Sequence, residues 1–223
     1  MFIKANLRLV PVPALPEIQL YTAHPGSGLR RLVDPHQSAD DDAVEPDDVP
    51  ETQPPYWAYA WAGGAVLARH ILDHPQSVAG RPVLDLGAGS GLVAIAAAKA
   101  GASAGIAAEI DRNGVVAIGL NAAANGVTIT ILDQDITTGP PPAIDLVLAG
   151  DVFYGREVAL RVIPFLDRCL AAGIEVLIGD PRRADLPLSR LRLLAEYQVP
   201  DFGDAKGVAT KPSGVFSFKL EDR

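Results

Sequence analysis

The stretch Val83-Leu84-Asp85-Leu86-Gly87-Ala88-Gly89-Ser90-Gly91 decides the fold: an apolar strand ends in a glycine turn that opens into the alanine-rich helix Leu92–Lys99. Glycine tolerates positive φ and lets backbone approach a ligand closely, and the first amides of the following helix donate to a polar or anionic group. The turn is therefore the expected seat of a nucleotide-like cofactor. A dinucleotide fingerprint needs its third glycine at position 92, where this chain has Leu92. Glycines at 87, 89 and 91, with Asp85 two residues ahead, argue against NAD.

Downstream, a strand over Ala104–Ala108 delivers Glu109 at its carboxyl end. An acid about twenty residues beyond the glycines is placed to accept both hydroxyls of a ribose. Asp111 lies close by, but Asp111-Arg112-Asn113 has the composition of a cap and first turn for a helix running to Asn125, which leaves Glu109 as the ribose residue.

The same alternation continues on both sides. Upstream, Trp61, Ala65, Ala68 and Leu72 recur at helical spacing in a pattern that predicts a helix from Tyr56 to Leu72. Downstream, strands are expected at Thr128–Leu132, Ile144–Ala149 and Val176–Gly179, with a helix at Glu157–Ala171. Past Pro181 no helix separates Leu193–Val199 from Val215–Leu220, so these two strands should pair antiparallel. The fold class is α/β: a doubly wound, Rossmann-like seven-stranded sheet, mostly parallel, with an antiparallel C-terminal hairpin. Its ligand crevice lies at the strand carboxyl ends.

Residues 1–55 read as an N-terminal accessory segment and residues 56–223 as the cofactor-binding domain. Leu15–Tyr21 alternates like a short strand, whereas residues 40–51 crowd seven carboxylates into a loop with no face to bury. The chain of 223 residues, 48% hydrophobic, supports one core of usual size. A net charge of −8 argues against an extended nucleic-acid surface, and Arg182, Arg183, Arg190 and Arg192 read as a solvated helix face. Cys169 is the sole cysteine and the four histidines are scattered, so neither a disulfide nor a metal site is expected. The absence of a basic-then-apolar leader and of long uncharged apolar runs predicts a cytoplasmic protein with no membrane partner.

The end of the fourth strand, Ala149-Gly150-Asp151-Val152-Phe153-Tyr154, must face the same crevice as the glycine loop. Asp151 is the catalytic-side candidate: it could orient an amine, with Tyr154 hydrogen bonding and ring faces attracting an ammonium. The alternative role for Asp151 is to cap the helix that follows.

Asp85-Leu86-Gly87-Ala88-Gly89-Ser90-Gly91 resembles motif I of the seven-strand (class I) methyltransferases that use S-adenosylmethionine. Together with Trp61-Ala62-Gly63-Gly64, Asp151-x-x-Tyr154 and Ile178-Gly179-Asp180-Pro181, it resembles the lysine methyltransferases of the electron transfer flavoprotein β subunit. Leu15-Pro16-Glu17-Ile18 and Pro55-Tyr56-Trp57-Ala58 extend the resemblance outside the usual core. It implies S-adenosylmethionine as methyl donor and a protein substrate, electron transfer flavoprotein β, methylated on lysine. By matching, Trp61 packs beside the cofactor, and Asp85, Gly87, Gly89 and Gly91 hold its amino-acid end. Glu109 holds the ribose, Asp135 and Ile136 the adenine, and Gly150 borders the sulfonium. Asp151 and Tyr154 mark the boundary between cofactor and substrate, and Trp57 and Tyr59 are further aromatic candidates with core packing as their other role. Ala62 departs from the family, which carries proline there. Helix Gly91–Lys99 also resembles the ribosomal protein L11 methyltransferases, which methylate amines, but Asp151-Val152-Phe153-Tyr154 lacks the proline-containing or Asn-based turn of those enzymes. A non-catalytic cofactor-binding module is the remaining alternative.

Overall fold

The computed structural model describes residues 2–29, 55–200 and 210–220. The acidic stretch 40–51 lies outside the described residues.

Strands β3 (Pro82–Leu86), β4 (Ala104–Glu109), β5 (Thr130–Asp133), β6 (Leu146–Gly150), β7 (Glu175–Asp180), β8 (Leu191–Pro200) and β9 (Thr210–Phe218) build one sheet in the order β5-β4-β3-β6-β7-β9-β8. Every pairing from β5 to β7 is parallel, and β9 runs antiparallel to both β7 and β8. The expected hairpin is present, with β9 inserted between β7 and β8. The strand order reverses beside β3, which opens a crevice at the carboxyl ends of β3, β4 and β6.

The alternation along each strand sorts the core into two layers. Val83, Leu146 and Leu148 point into one layer, shared with helices α2 (Ala62–Asp73) and α3 (Leu92–Lys99). Leu84, Leu86, Val147 and Ala149 point into the other, against Val162, Phe165 and Leu166 of helix α5 (Arg156–Ala171). A period of two on each strand, with apolar residues at both parities, is what a sheet buried on both faces requires.

Helix α4 (Arg112–Ala124) begins where the sequence places it, with the Asp111 carboxylate accepting from the amides of Asn113 and Gly114. The helix expected over Tyr56–Leu72 starts later. Tyr56–Ala58 is a single 3-10 turn, Tyr59 is extended, and Trp61 is the N-cap of α2. Tyr56, Tyr59 and Trp61 of that lead-in line the crevice, while Trp57 is buried in the core instead of lying on a helix face.

The N-terminal residues add a short helix α1 (Phe2–Asn6) and a hairpin of β1 (Arg8–Val12) with β2 (Leu15–Thr22). The sequence reading found β2 and missed β1, whose Pro11 hides an edge strand. Asn121 of α4 and Asn125 at its C-cap fasten this hairpin. Asn121 accepts from the Tyr21 amide at 2.8 Å and donates to the Ser90 carbonyl at 2.8 Å, while Asn125 bonds both backbone groups of Gln19. Leu15, Ile18 and Leu20 are buried in the α2/α3 layer.

Candidate active site

The glycine loop is built as the residues demand. Gly87, Gly89 and Gly91 have φ of 66°, 51° and 78°, a region that costs side-chain-bearing residues about 1 kcal/mol or more. Gly91 is the N-cap of α3 and has no side chain to cap with. Asp85 supplies what is missing: its Oδ2 accepts from the Ala94 amide at 2.9 Å, reaching the third helical residue from the neighbouring strand.

The loop forms the floor of a cleft of about 460 Å³, within the size range of small-molecule sites. Trp61, Asp85, Gly87, Gly89, Glu109, Asp135, Ile136, Gly150, Asp151 and Tyr154 all line it, so it unites ten of the eleven residues named from sequence. Gly91 stands behind, where an added Cβ would lie 3.1 Å from Ile118. Trp57 is buried against Ile3, Leu7 and Ala117, which makes it a core residue, whereas Tyr59 does line the cleft.

Glu109 ties the loop to the end of β4. Its Oε2 accepts from the Gly89 amide at 2.7 Å, and its Oε1 accepts from the amides of Ile110 and Asp111, both at 2.8 Å. Three of roughly four acceptor positions on this carboxylate are thus in use, and sugar hydroxyls would compete with the Gly89 amide. Asp135 caps the 3-10 turn Ile136–Thr138. Its hydrogen bonds to Thr137, helped by Arg161, hold its carboxyl below the usual carboxylate range. Exposed Ile110 and buried Ile136 give this end of the cleft two apolar surfaces.

At the opposite end, Asp151 adopts φ of 57°, a left-handed conformation that Asp tolerates better than most residues. Its Oδ2 accepts from the amides of Gly63 and Gly64, and its Oδ1 from the guanidinium of Arg183. Asp151 therefore does cap a helix, but the helix is α2, whose first turn lies 88 residues earlier in sequence. Helix α5, the one it would cap under the alternative role read from sequence, has Gly155 at its N-cap. Burial pushes the Asp151 carboxyl up, against the pull of Arg183.

An aromatic file crosses the mouth. Tyr154 is 43% exposed and stacks on Tyr56 with ring centroids 4.9 Å apart; Tyr56 meets Trp61 at 5.5 Å, and Trp61 meets Tyr59 at 5.6 Å. The indole Nε1–H of Trp61 donates to the Tyr56 carbonyl at 2.8 Å.

Asp85 is 2% exposed, and burial, reinforced by Glu109, pushes its carboxyl up to about 7. Raised above its unfolded value, it stabilises the fold while protonated, and that contribution is lost as pH rises through about 7. Asp85→Asn keeps an acceptor for Ala94. Denaturant unfolding of the ligand-free protein should show wild type losing stability relative to Asp85→Asn as pH rises from the ordinary aspartate range to about 7 and levelling off above it, and parallel pH profiles would refute this.

Two cleft residues escaped the sequence reading. Tyr56 was visible only as part of an aromatic stretch, and Arg183 belonged to the supposed solvated helix face. The four arginines share no helix. Arg182 pairs with Glu196 and Arg183 with Asp151; Arg190 is buried, pairs with Asp167 and lies over the Phe218 ring. Arg192 is exposed on β8. Non-local carboxylates, which a charge run cannot reveal, decide where three of them go. Among the described residues, no group of three or more His, Cys, Asp or Glu side chains could hold a metal, and no helix is long and apolar enough to cross a membrane.

Comparison with known proteins gives a consistent set of relatives. A family model described as ribosomal protein L11 methyltransferase (PrmA) matches residues 67–150. The electron transfer flavoprotein beta subunit lysine methyltransferase of Rattus norvegicus is 39% identical over 170 residues, which are 74% of this chain and 67% of that protein. Its Homo sapiens counterpart is 44% identical over 171 residues, 74% of this chain and 65% of that protein. The chain thus spans about two thirds of the length of these relatives. The ribosomal protein L11 methyltransferase of Geobacter sulfurreducens is 43% identical over 102 residues, 45% of this chain and 33% of that protein. Among solved structures, the ribosomal protein L11 methylase of Lactobacillus delbrueckii subsp. bulgaricus superposes with a TM-score of 0.50 at 25% identity, covering 69% of this chain and 77% of that one.

Proposed function

Because the chain belongs to the electron transfer flavoprotein beta subunit lysine methyltransferase family, we propose that it transfers methyl groups from S-adenosylmethionine to lysine side chains of an electron transfer flavoprotein β subunit. The reading rests on one observation: the similarity to those enzymes runs through 74% of the chain, whereas that to two L11 enzymes runs through 45% and 55%.

The cleft fits the cofactor chemically. Asp85 sits under the glycine loop at the place for a cationic amino-acid end, and a positive charge there would favour its ionised form. Glu109 receives the ribose, Asp135 and Ile136 receive the adenine, and Gly150 and Trp61 border the sulfonium. Gly91 contributes by opening α3. Bound S-adenosylmethionine supplies a methyl carbon on a positively charged sulfur.

The protein's own part is positioning. Methyl transfer needs a neutral amine in line behind the methyl carbon, so geometry and partial desolvation count for more than a strong base. The half-exposed face of Tyr154, backed by Tyr56, attracts an approaching lysine ammonium, and leaving water lowers the pKa of that amine. Asp151, with its acceptor positions filled by four N–H groups, acts here by fixing the wall between cofactor and substrate. It is a positioning residue, and Tyr154 is the residue that touches lysine. A cytoplasmic location belongs to the same proposal and rests on the single cysteine and the mixed polar composition.

The L11-type match over residues 67–150 supports a second reading, methylation of a ribosomal protein. Tritiated S-adenosylmethionine offered with electron transfer flavoprotein in one reaction and L11 in another separates the two. Label in the β subunit is the expected result, and label confined to L11 would reverse the assignment.

A further inference from the structure

The turn after β7 brings the Arg183 guanidinium to the cleft. Asp180 Oδ1 accepts the Arg183 amide at 2.7 Å, which fixes the backbone from which the guanidinium reaches back to Asp151. Nε at 2.7 Å and Nη2 at 2.6 Å both donate to Oδ1 of Asp151, while Oδ2 carries the Gly63 and Gly64 amides. One carboxylate therefore joins three segments distant in sequence: the end of β6, the first turn of α2 and the turn after β7. The Arg183 side chain is 26% exposed and lines the cleft, so it stands within reach of solvent and of the site.

We propose that Arg183 is a positioning residue for methyl transfer: it holds the Asp151 carboxylate aimed at the Gly63–Gly64 amides, and so fixes the first turn of α2, with Trp61 and Gly64, as one wall of the cleft. The inference rests on the reading of this cleft as the methyl-transfer site.

The charges around Asp151 make Arg183 decisive. The groups that face the carboxylate are Arg183, the Gly63 and Gly64 amides and the carboxyl of Asp180, which is itself buried and pushed up to about 6 by desolvation and by Asp151. Without the guanidinium, a buried carboxylate would face a second carboxyl with no countercharge, and it would take up a proton at higher pH. The proton would settle on Oδ1, the oxygen the guanidinium vacates, so Oδ2 would accept the two amides as a neutral carbonyl without charge assistance and the hold on α2 would weaken. Lysine at position 183 keeps the charge but not the planar fork, and should restore the effect in part.

Amide hydrogen exchange of the ligand-free protein tests this without cofactor or substrate. Protection of the Gly63 and Gly64 amides should persist to lower pH in wild type than in Arg183→Ala, with the midpoint displaced upward by about 1–3 pH units in the variant. Arg183→Lys should lie between, and it carries the test if the alanine variant does not fold. Affinity of Arg183→Ala for S-adenosylhomocysteine near neutral pH should fall about tenfold and recover when ethylguanidinium is added. Identical pH midpoints in wild type and variants would overturn the proposal. A displaced midpoint in a protein that transfers no methyl group would leave the clamp standing and refute the activity instead.

Discussion

Gly179→Ala is expected to lower the thermal unfolding midpoint by about 6–12 °C and to abolish cofactor binding. A Cβ at this position would overlap the Gly63 carbonyl oxygen and lie 2.7 Å from the Leu67 Cβ, and neither neighbour is the movable end of a flexible side chain. The same packing recurs next to it, where a Cβ on Gly150 would sit 2.7 Å from the Gly64 Cα. The first turn of α2 therefore lies backbone against backbone on the ends of β6 and β7, at the place where Asp151 caps it. Forcing the two apart costs about 3 kcal/mol as overpacking, which in a chain of this length converts to the stated drop. It also displaces the wall carrying Trp61 and Gly64. Gly155→Ala is the control: nothing lies within 4 Å of its added Cβ and its φ of −168° suits any residue, so only the preference for Gly over Ala at the α5 N-cap is lost, about 1 kcal/mol or less. Equal midpoints for the two variants in a thermal melt would show that close approach at Gly179 does not hold α2 in place.

The second large effect is at Glu109. Glutamine matches the shape of glutamate but replaces one acceptor oxygen with a donor, while the carboxylate faces three backbone N–H groups, from Gly89, Ile110 and Asp111. Whichever way the amide turns, it sets a donor against a donor. Sugar hydroxyls would also lose a charged acceptor. Removing such charge-assisted hydrogen bonds costs about 2–4 kcal/mol, roughly a 30- to 700-fold loss of affinity for S-adenosylhomocysteine. Calorimetric titration measures it directly, and an unchanged affinity would remove Glu109 from the ribose site.

The βαβ unit was legible because its signals are local. Apolar alternation, the glycine turn, the alanine-rich helix and the Asp111 cap each lie within a few residues of what they control, and α3 begins and ends where the sequence places it. The cleft followed from that unit, since parallel strands leave their carboxyl ends on one side. Signals failed where the partner is remote. The periodicity of Trp61, Ala65, Ala68 and Leu72 is genuine, but extending it back to Tyr56 ignored that Tyr56, Tyr59 and Trp61 are drawn toward the cleft mouth. Asp151 carries the right chemistry for a cap, yet only the tertiary fold reveals that it serves α2. Arg183 looked like one more solvated cation because its carboxylate lies 32 residues away.

The proposed reaction is transfer of methyl groups to lysine on the β subunit of an electron transfer flavoprotein. Peptide mass spectrometry of that protein, incubated with the enzyme in the presence and absence of S-adenosylmethionine and paired with quantification of S-adenosylhomocysteine, tests it most directly. Methyl mass increments on β-subunit lysines, dependent on the cofactor and matched by one S-adenosylhomocysteine per methyl group, are the predicted result. An unmodified β subunit, alongside tight cofactor binding by the same enzyme preparation, would contradict the substrate assignment.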